Sequence, residues 1–141
     1  MQLQVGVKVL LENNQRKFLL LRRSEEKYRD VLQKWDIPGG RINPGKSLME
    51  NLEREVMEET GLKLTEEPHL IGAQDIIPDG ERHIVRLTYI SKTEGEPVLS
   101  EEHTEFRWFG IEELQTLEGL DVYLQNLLRI FILSQRTFCS G

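Results

Sequence analysis

Four glutamates, Glu53, Glu55, Glu58 and Glu59, stand within seven residues of one another in a stretch with helix punctuation at both ends. Ser47 and Glu50 have the S-x-x-E spacing of a capping box, and Gly61 stands where a helix closes on a left-handed residue. Gly39, Gly40 and the turn pair Pro44-Gly45 form a glycine-rich approach to it. Acids packed this densely repel one another unless something cationic sits among them. Residues 39–62 therefore set the terms for the rest of the chain, which has to hold this helix with its acids facing one way.

At about 100° per residue, with Glu55 at zero, Glu59 falls at about +40° and Glu58 at about −60°, so the three share an arc of about 100°. Met49, Leu52 and Val56 fall at about +60° to +120°, which sets an apolar anchoring stripe beside the acidic one. Glu55 and Glu59 are a like-charge i,i+4 pair that costs about a few tenths of a kcal/mol in an exposed helix and more when desolvated. A hard divalent cation reverses that sign, and carboxylate oxygens suit Mg²⁺ or Mn²⁺ shared with substrate phosphates. Arg54 can reach Glu58 at i+4 or orient a neighbouring acid. A bare E-x-x-E-E would read better as a solvated face, since charge runs mostly serve solvation.

The flanking chain supplies strands. Leu3, Val5, Val7, Val9 and Leu11 alternate with Gln4, Gly6 and Lys8, which predicts a half-buried strand. Asn13-Asn14 marks a turn, and the apolar run from Phe18 to Leu21, ending in Arg22-Arg23, completes a β-hairpin. Residues 24–34 are charged without a period and read as a surface loop. Trp35-Asp36-Ile37-Pro38 returns the chain to the core, with Pro38 limiting ladder pairing. Strands follow at residues 70–77, 83–90 and 106–109, with a turn at Pro78-Asp79-Gly80. A short helix spans residues 111–117. Asp121 caps a last helix whose apolar side is Val122, Leu124, Leu127, Leu128, Phe131 and Ile132. The order β-β-α-β-β-β-α-α predicts an α+β or α/β/α sandwich in one domain over residues 1–141.

Composition narrows the partners. With 141 residues and no repeat or long linker, the chain can bury one real core. A net charge of −6 argues against a nucleic-acid backbone as the main partner. The single cysteine, Cys139, permits no disulfide within the chain and, near the C-terminus, suggests no catalytic role. No charged n-region precedes an apolar run and no segment reaches membrane-spanning length, so a cytoplasmic protein without a membrane anchor is expected. A homodimer is left open.

The spacing around the acids changes the reading of E-x-x-E-E. Gly40, five residues, Lys46, seven residues, then Arg54-Glu55-Val56-Met57-Glu58-Glu59-Thr60-Gly61-Leu62 resembles the signature of the Nudix hydrolases. Every fixed position matches except Lys46, which stands where the family has its first Glu. A Trp-x-x-Pro-Gly-Gly approach, an N-terminal hairpin and a late segment with Glu102, His103, Glu105 and Trp108 extend the resemblance over nearly the whole chain. It implies the Nudix fold, an α/β/α sandwich on a mixed β-sheet. It also implies hydrolysis of a pyrophosphate linkage in a nucleoside diphosphate joined to a group X, with Mg²⁺ or Mn²⁺ as cofactor. By position, Glu55, Glu58 and Glu59 become metal ligands, joined by the Gly40 carbonyl. Glu55 or Glu59 then handles the attacking water, with Glu55 preferred, and Arg54 orients them.

Weaker candidates surround this set. Lys46 can reach a substrate phosphate or be a drifted surface residue. Glu102 and Glu105 offer a further ligand or base, or only an exposed polar loop. Arg22 and Arg23 end a strand and can touch phosphate, although solvated strand-end arginines are more frequent. His69, His83 and His103 lack zinc-site spacing, which favours structural roles. Trp35 and Trp108 read as core packing. Pro78, sixteen residues after Leu62, resembles the ADP-ribose pyrophosphatase pattern, but the short chain is closer in size to enzymes of modified nucleoside triphosphates. Two non-enzymatic readings remain beside the hydrolase: a Nudix-like domain that senses a nucleotide or sugar, supported only by Lys46, and an acidic scaffold, which leaves the spacing unexplained.

Overall fold

The structure, a computed structural model, describes residues 1–23 and 35–140, with side chains described as far as residue 132. The loop expected over residues 24–34 and the Cys139 side chain lie outside the described residues. The element order is β1 (Gln2–Glu12), β2 (Phe18–Arg23), β3 (Trp35–Asp36), β4 (Gly39–Arg41), α1 (Leu48–Thr60), β5 (His69–Ile76), β6 (Arg82–Lys92), β7 (His103–Phe109), α2 (Ile111–Thr116) and α3 (Val122–Ser140). One mixed sheet runs β3-β2-β1-β6-β5, with β4 paired to β1 and β7 to β2.

β1 is the axis of the sheet. It runs parallel to β6 over its whole length, from Gln2 opposite Arg82 to Glu12 opposite Lys92, and antiparallel to β4. Helices pack on both faces of the sheet along the second half of β1, and this corrects the half-buried expectation. Leu10 is as fully buried as Val7, Val9 and Leu11, while Leu3, beyond the reach of either helical layer, is 65% exposed. The turn into β2 is closed by Asn13, whose Oδ1 accepts from the Gln15 and Lys17 amides. The two strands meet only at Glu12 and Phe18, because β2 then leaves to pair with β7.

Each face of the sheet carries a helical layer. α1 packs Leu52 and Val56 onto Val7, Val9, Leu11, Leu19 and Leu21. The opposite face joins Leu10, Leu20 and Phe109 to α2 and α3 through Leu114, Leu124 and Leu128. Trp35 belongs to this second core and meets Phe109 edge-on, with ring centroids 5.4 Å apart. The expected apolar side of α3 holds at Leu124, Leu127 and Leu128, whereas Val122 in its first turn is exposed. The molecule is an α/β/α sandwich. No described helix is long and apolar enough to cross a membrane.

Residues 35–41 differ from expectation in a way that shapes the site. Two short strands form there, one on each side of Pro38. The proline has no amide to donate, but its carbonyl accepts from the Val9 amide at 3.0 Å. It thus joins the ladder as acceptor alone and delivers Gly39 and Gly40 to the edge of α1.

Candidate functional site

α1 begins as its punctuation predicts. Ser47 accepts from the Glu50 amide at 3.0 Å, and Gly61 closes the helix at φ 70° with its N–H on the Met57 carbonyl. Asn51, which the sequence does not single out, locks the preceding loop to the helix. Its side chain accepts from the Asn43 amide at 2.7 Å and donates to the Lys46 and Ser47 carbonyls. Both ends of the helix are therefore pinned.

The helical arc places the acids as expected and grades their burial. Glu58 is exposed, Glu55 half-buried and Glu59 buried. All three line an open cleft of about 620 Å³, together with Gly39, Gly40 and Glu102 from the facing chain. Arg54 lies alongside them, with Nη2 3.2 Å from Glu55 Oε1 and Nη1 3.9 Å from Glu58. The same guanidinium donates to the Arg41 carbonyl and to Asn51 Oδ1, so it is held on three sides.

The two glycines have separate tasks. Val9 bonds to Pro38 and Ile42 to Val5, so in this antiparallel register the pair between them, Val7 and Gly40, is also a bonded one. The polar groups of Gly40 face β1. The larger effect of Gly40 is steric. A Cβ there would stand 2.6 Å from Glu55 Oε2, so the missing side chain makes room for the carboxylate. Gly39 turns the other way and donates its N–H to Glu59 Oε1 at 3.3 Å. Its φ of 146° and the closeness of the Val7 carbonyl to any Cβ demand glycine.

Burial among like charges perturbs the acids. Desolvation pushes Glu59 up to about 8, the Glu55 charge adds to this, and Lys8 opposes it from β1. Glu55 is likewise raised, first by desolvation and then by Glu58, against the pull of Arg54. His103 lies on the far side of Glu59, with Nε2 3.8 Å from Oε2, and desolvation lowers it to about 4, so its ring is neutral. Lys8 is held by Asp36 at 3.0 Å and by the Ile37 carbonyl at 3.2 Å.

These features fit a hard divalent cation: oxygen donors on one cleft and acids crowded against one another. Two buried polar atoms beside the cleft, Ser100 Oγ and His103 Nδ1, have no hydrogen-bond partner. Among the described residues no three His, Cys, Asp or Glu side chains already close on one point, so Glu55, Glu58 and Glu59 form an open cradle.

The weaker candidates divide. Glu102 lines the cleft, whereas Lys46, Arg22, Arg23 and Glu105 are not among the residues lining it. Lys46 is exposed. Arg22 and Glu105 pair with each other across β2 and β7 at 3.0 Å, and Arg23 reaches Asp36 at 2.8 Å. His83 pairs with Asp75 at 2.7 Å on the surface. Lys8 and Asp36 are missed by sequence reasoning. A lysine amid Val7, Val9 and Leu10 was the signal for a buried partner.

The NUDIX domain family model matches residues 2–129. The chain belongs to the NUDIX domain family. The asymmetrical bis(5′-nucleosyl)-tetraphosphatase of Rattus norvegicus is 29% identical over 134 residues, covering 82% of this chain and 81% of that protein. The enzyme of the same name from Mus musculus is 31% identical over 118 residues, covering 73% and 70%. The crystal structure of the MutT protein of Methanosarcina mazei Go1 superposes with a TM-score of 0.80 at 31% identity, covering 94% of this chain and 95% of that one. The chain is thus a Nudix hydrolase, of a family whose hydrolases generally use divalent metals.

Proposed function

We propose that this Nudix hydrolase cleaves the anhydride chain of nucleoside 5′-polyphosphates, with a bis(5′-nucleosyl) tetraphosphate as its leading substrate. The observation that carries this reading is the convergence of Glu55, Glu58 and Glu59 on one open cleft behind Gly39 and Gly40. Its volume falls in the about 300–1,000 Å³ range of small-molecule sites. The two tetraphosphatases above favour a polyphosphate over a nucleotide sugar. Both helical layers share one sheet, which supports reading residues 1–141 as one domain.

Glu55, Glu58 and Glu59, joined by the Gly40 carbonyl, would hold Mg²⁺ or Mn²⁺. When bound, such an ion neutralises phosphate charge and acidifies water. Glu55 is the base of choice. It stands half-buried on the cleft beside the other two acids, within reach of a water held there. Arg54 fixes one Glu55 oxygen and leaves the other to take a proton from water. Water adds to phosphorus, a P–O–P bond breaks, and the tetraphosphate yields a nucleoside monophosphate and a nucleoside triphosphate. Glu102 supports the cleft from the opposite rim. Lys46, Arg22, Arg23 and Glu105 have no assigned role in this reading.

Incubation with a bis(5′-adenosyl) tetraphosphate, a modified nucleoside triphosphate and ADP-ribose, with Mg²⁺ or Mn²⁺, tests it by ion-exchange separation of products. The expected result is AMP and ATP from the tetraphosphate as the fastest reaction. Turnover of ADP-ribose alone would move the substrate class, and tight binding without any turnover would leave a sensor.

A further inference from the structure

His103 opens β7 across from the last turn of α1. Its backbone is tied in, since its N–H donates to the Ser100 carbonyl while the Ser100 N–H donates to the Glu59 carbonyl, both at 3.3 Å. Its ring is not tied in the same way. Nδ1 is buried without a hydrogen-bond partner, and Nε2 lies 3.8 Å from Glu59 Oε2, too far for a hydrogen bond. The two side chains are only 12% and 10% exposed, so little water can take the place of a partner. Glu59 is asymmetric in turn. Oε1 already receives the Gly39 amide at 3.3 Å, while Oε2 faces the imidazole.

A carboxylate that gives one lone pair to a cation is held in place by hydrogen bonds to the others. We propose that His103 is the positioning residue for Glu59: its Nε2–H closes onto Glu59 Oε2 when the cleft takes up a divalent cation, and so fixes the lone pair that Glu59 presents. Gly39 and His103 then grip the carboxylate from two sides. Lys8 and Asp36 stand behind the pair without contacting the cleft. This rests on reading Glu59 as a metal ligand.

Binding of Mn²⁺, followed through the electron paramagnetic resonance signal of the free ion, tests it without any turnover. His103→Ala is expected to weaken binding about 10- to 100-fold, the scale for losing a hydrogen-bond partner behind a ligand. His103→Gln, whose amide can still donate, is expected to recover most of that loss. In the wild-type protein saturated with Mg²⁺, ¹⁵N spectra should place the ring proton on Nε2. Wild-type affinity in His103→Ala, equal losses in the two variants, or an unprotonated Nε2 with Mg²⁺ bound would each overturn the proposal. Glu59→Gln separates the two readings. If it alone weakens Mn²⁺ binding, only the role of His103 falls, and if it too binds normally, Glu59 is not a ligand.

Discussion

The two faces of one sheet bury charge in opposite ways. On the α3 side, Asp36 and Asp121 meet Lys8, Arg23 and Arg86. Lys8 and Arg23 hold Asp36, Arg86 holds Asp121 at 3.1 Å, and Asp121 caps α3 through the Leu124 amide. Burial works against the Asp36 charge, yet Lys8, Arg86 and Arg23 outweigh it and hold its carboxyl below the usual range. On the α1 side, acids face acids, and desolvation carries Glu59 up to about 8. Both regions contain buried carboxylates at similar exposure. What separates them is the sign of the neighbours. A closed set of opposite charges is a structural joint, whereas a set of like charges needs a cation from outside.

The sharpest break in the comparison comes from removing one charge on the closed side. Asp36→Ala leaves Lys8 and Arg23 without their shared carboxylate and should destabilise the fold by about 3–5 kcal/mol in urea denaturation. A loss below about 1 kcal/mol would mean that water replaces the partner. The pH dependence has a fixed sign. A carboxyl depressed in the folded state stabilises above its unfolded pKa, and that stability disappears as pH falls through the lower folded value. Asp36 therefore contributes to acid denaturation.

Removing a charge on the open side should do the reverse. Glu59→Gln should lower kcat by about 100-fold or more, the scale of losing a metal-site group. The metal-free protein should not lose stability at neutral pH, because the amide replaces a carboxyl that burial already keeps uncharged there. A folded pKa raised to about 8 gives stability that is complete below the unfolded value and lost as pH rises through 8. The melting temperature of the metal-free wild type should thus fall across that window more than that of Glu59→Gln. The Mg²⁺-induced rise should grow over the same window. Parallel pH profiles for the two proteins would show that Glu59 carries no such strain.

A gentler probe leaves every charge in place. Gly40→Ala puts a methyl group 2.6 Å from Glu55 Oε2, against the end of a flexible side chain rather than backbone. The side chain can swing aside, so stability should change by about 1 kcal/mol or less while kcat/KM falls about 10-fold from misplacement of Glu55. Unchanged kinetics would show that Glu55 works from another rotamer.

The open side was far more legible in the sequence than the closed one. Helical spacing is local, so the arc of Glu55, Glu58 and Glu59, the Ser47 cap and the Gly61 stop could all be read from 24 residues of chain. The joint on the other face draws on Lys8, Arg23, Asp36, Arg86 and Asp121, which come from four strands and a helix cap far apart in sequence. The parallel pairing of β1 with β6 sets Gly6 opposite Arg86 beside Lys8, and the pairing of β2 with β3 sets Arg22 opposite Trp35, next to Arg23 and Asp36. The same non-local pairing hid the double-sided burial of β1. The contacts that Gly39 and His103 make to Glu59 were not legible although both residues stand out in the sequence, because they depend on strand register and on the turn that leads into β7.

The smallest expected effect concerns the one departure from the family signature. Lys46 is exposed, its backbone bonds to Asn43 and Asn51, and it is not among the residues lining the cleft. It precedes Ser47, the cap of α1, where a positive charge opposes the helix dipole. Lys46→Glu removes that opposition and should add a few tenths of a kcal/mol, about 0.3–1 at low salt. Activity should stay within about twofold of the wild type or rise, since a surface charge remote from the reacting groups changes little. The measurement is kcat/KM for the tetraphosphate at two ionic strengths. A large loss that salt does not relieve would bring Lys46 into contact with substrate, and the acidic cradle would then need a cation from its own chain as well as from solution.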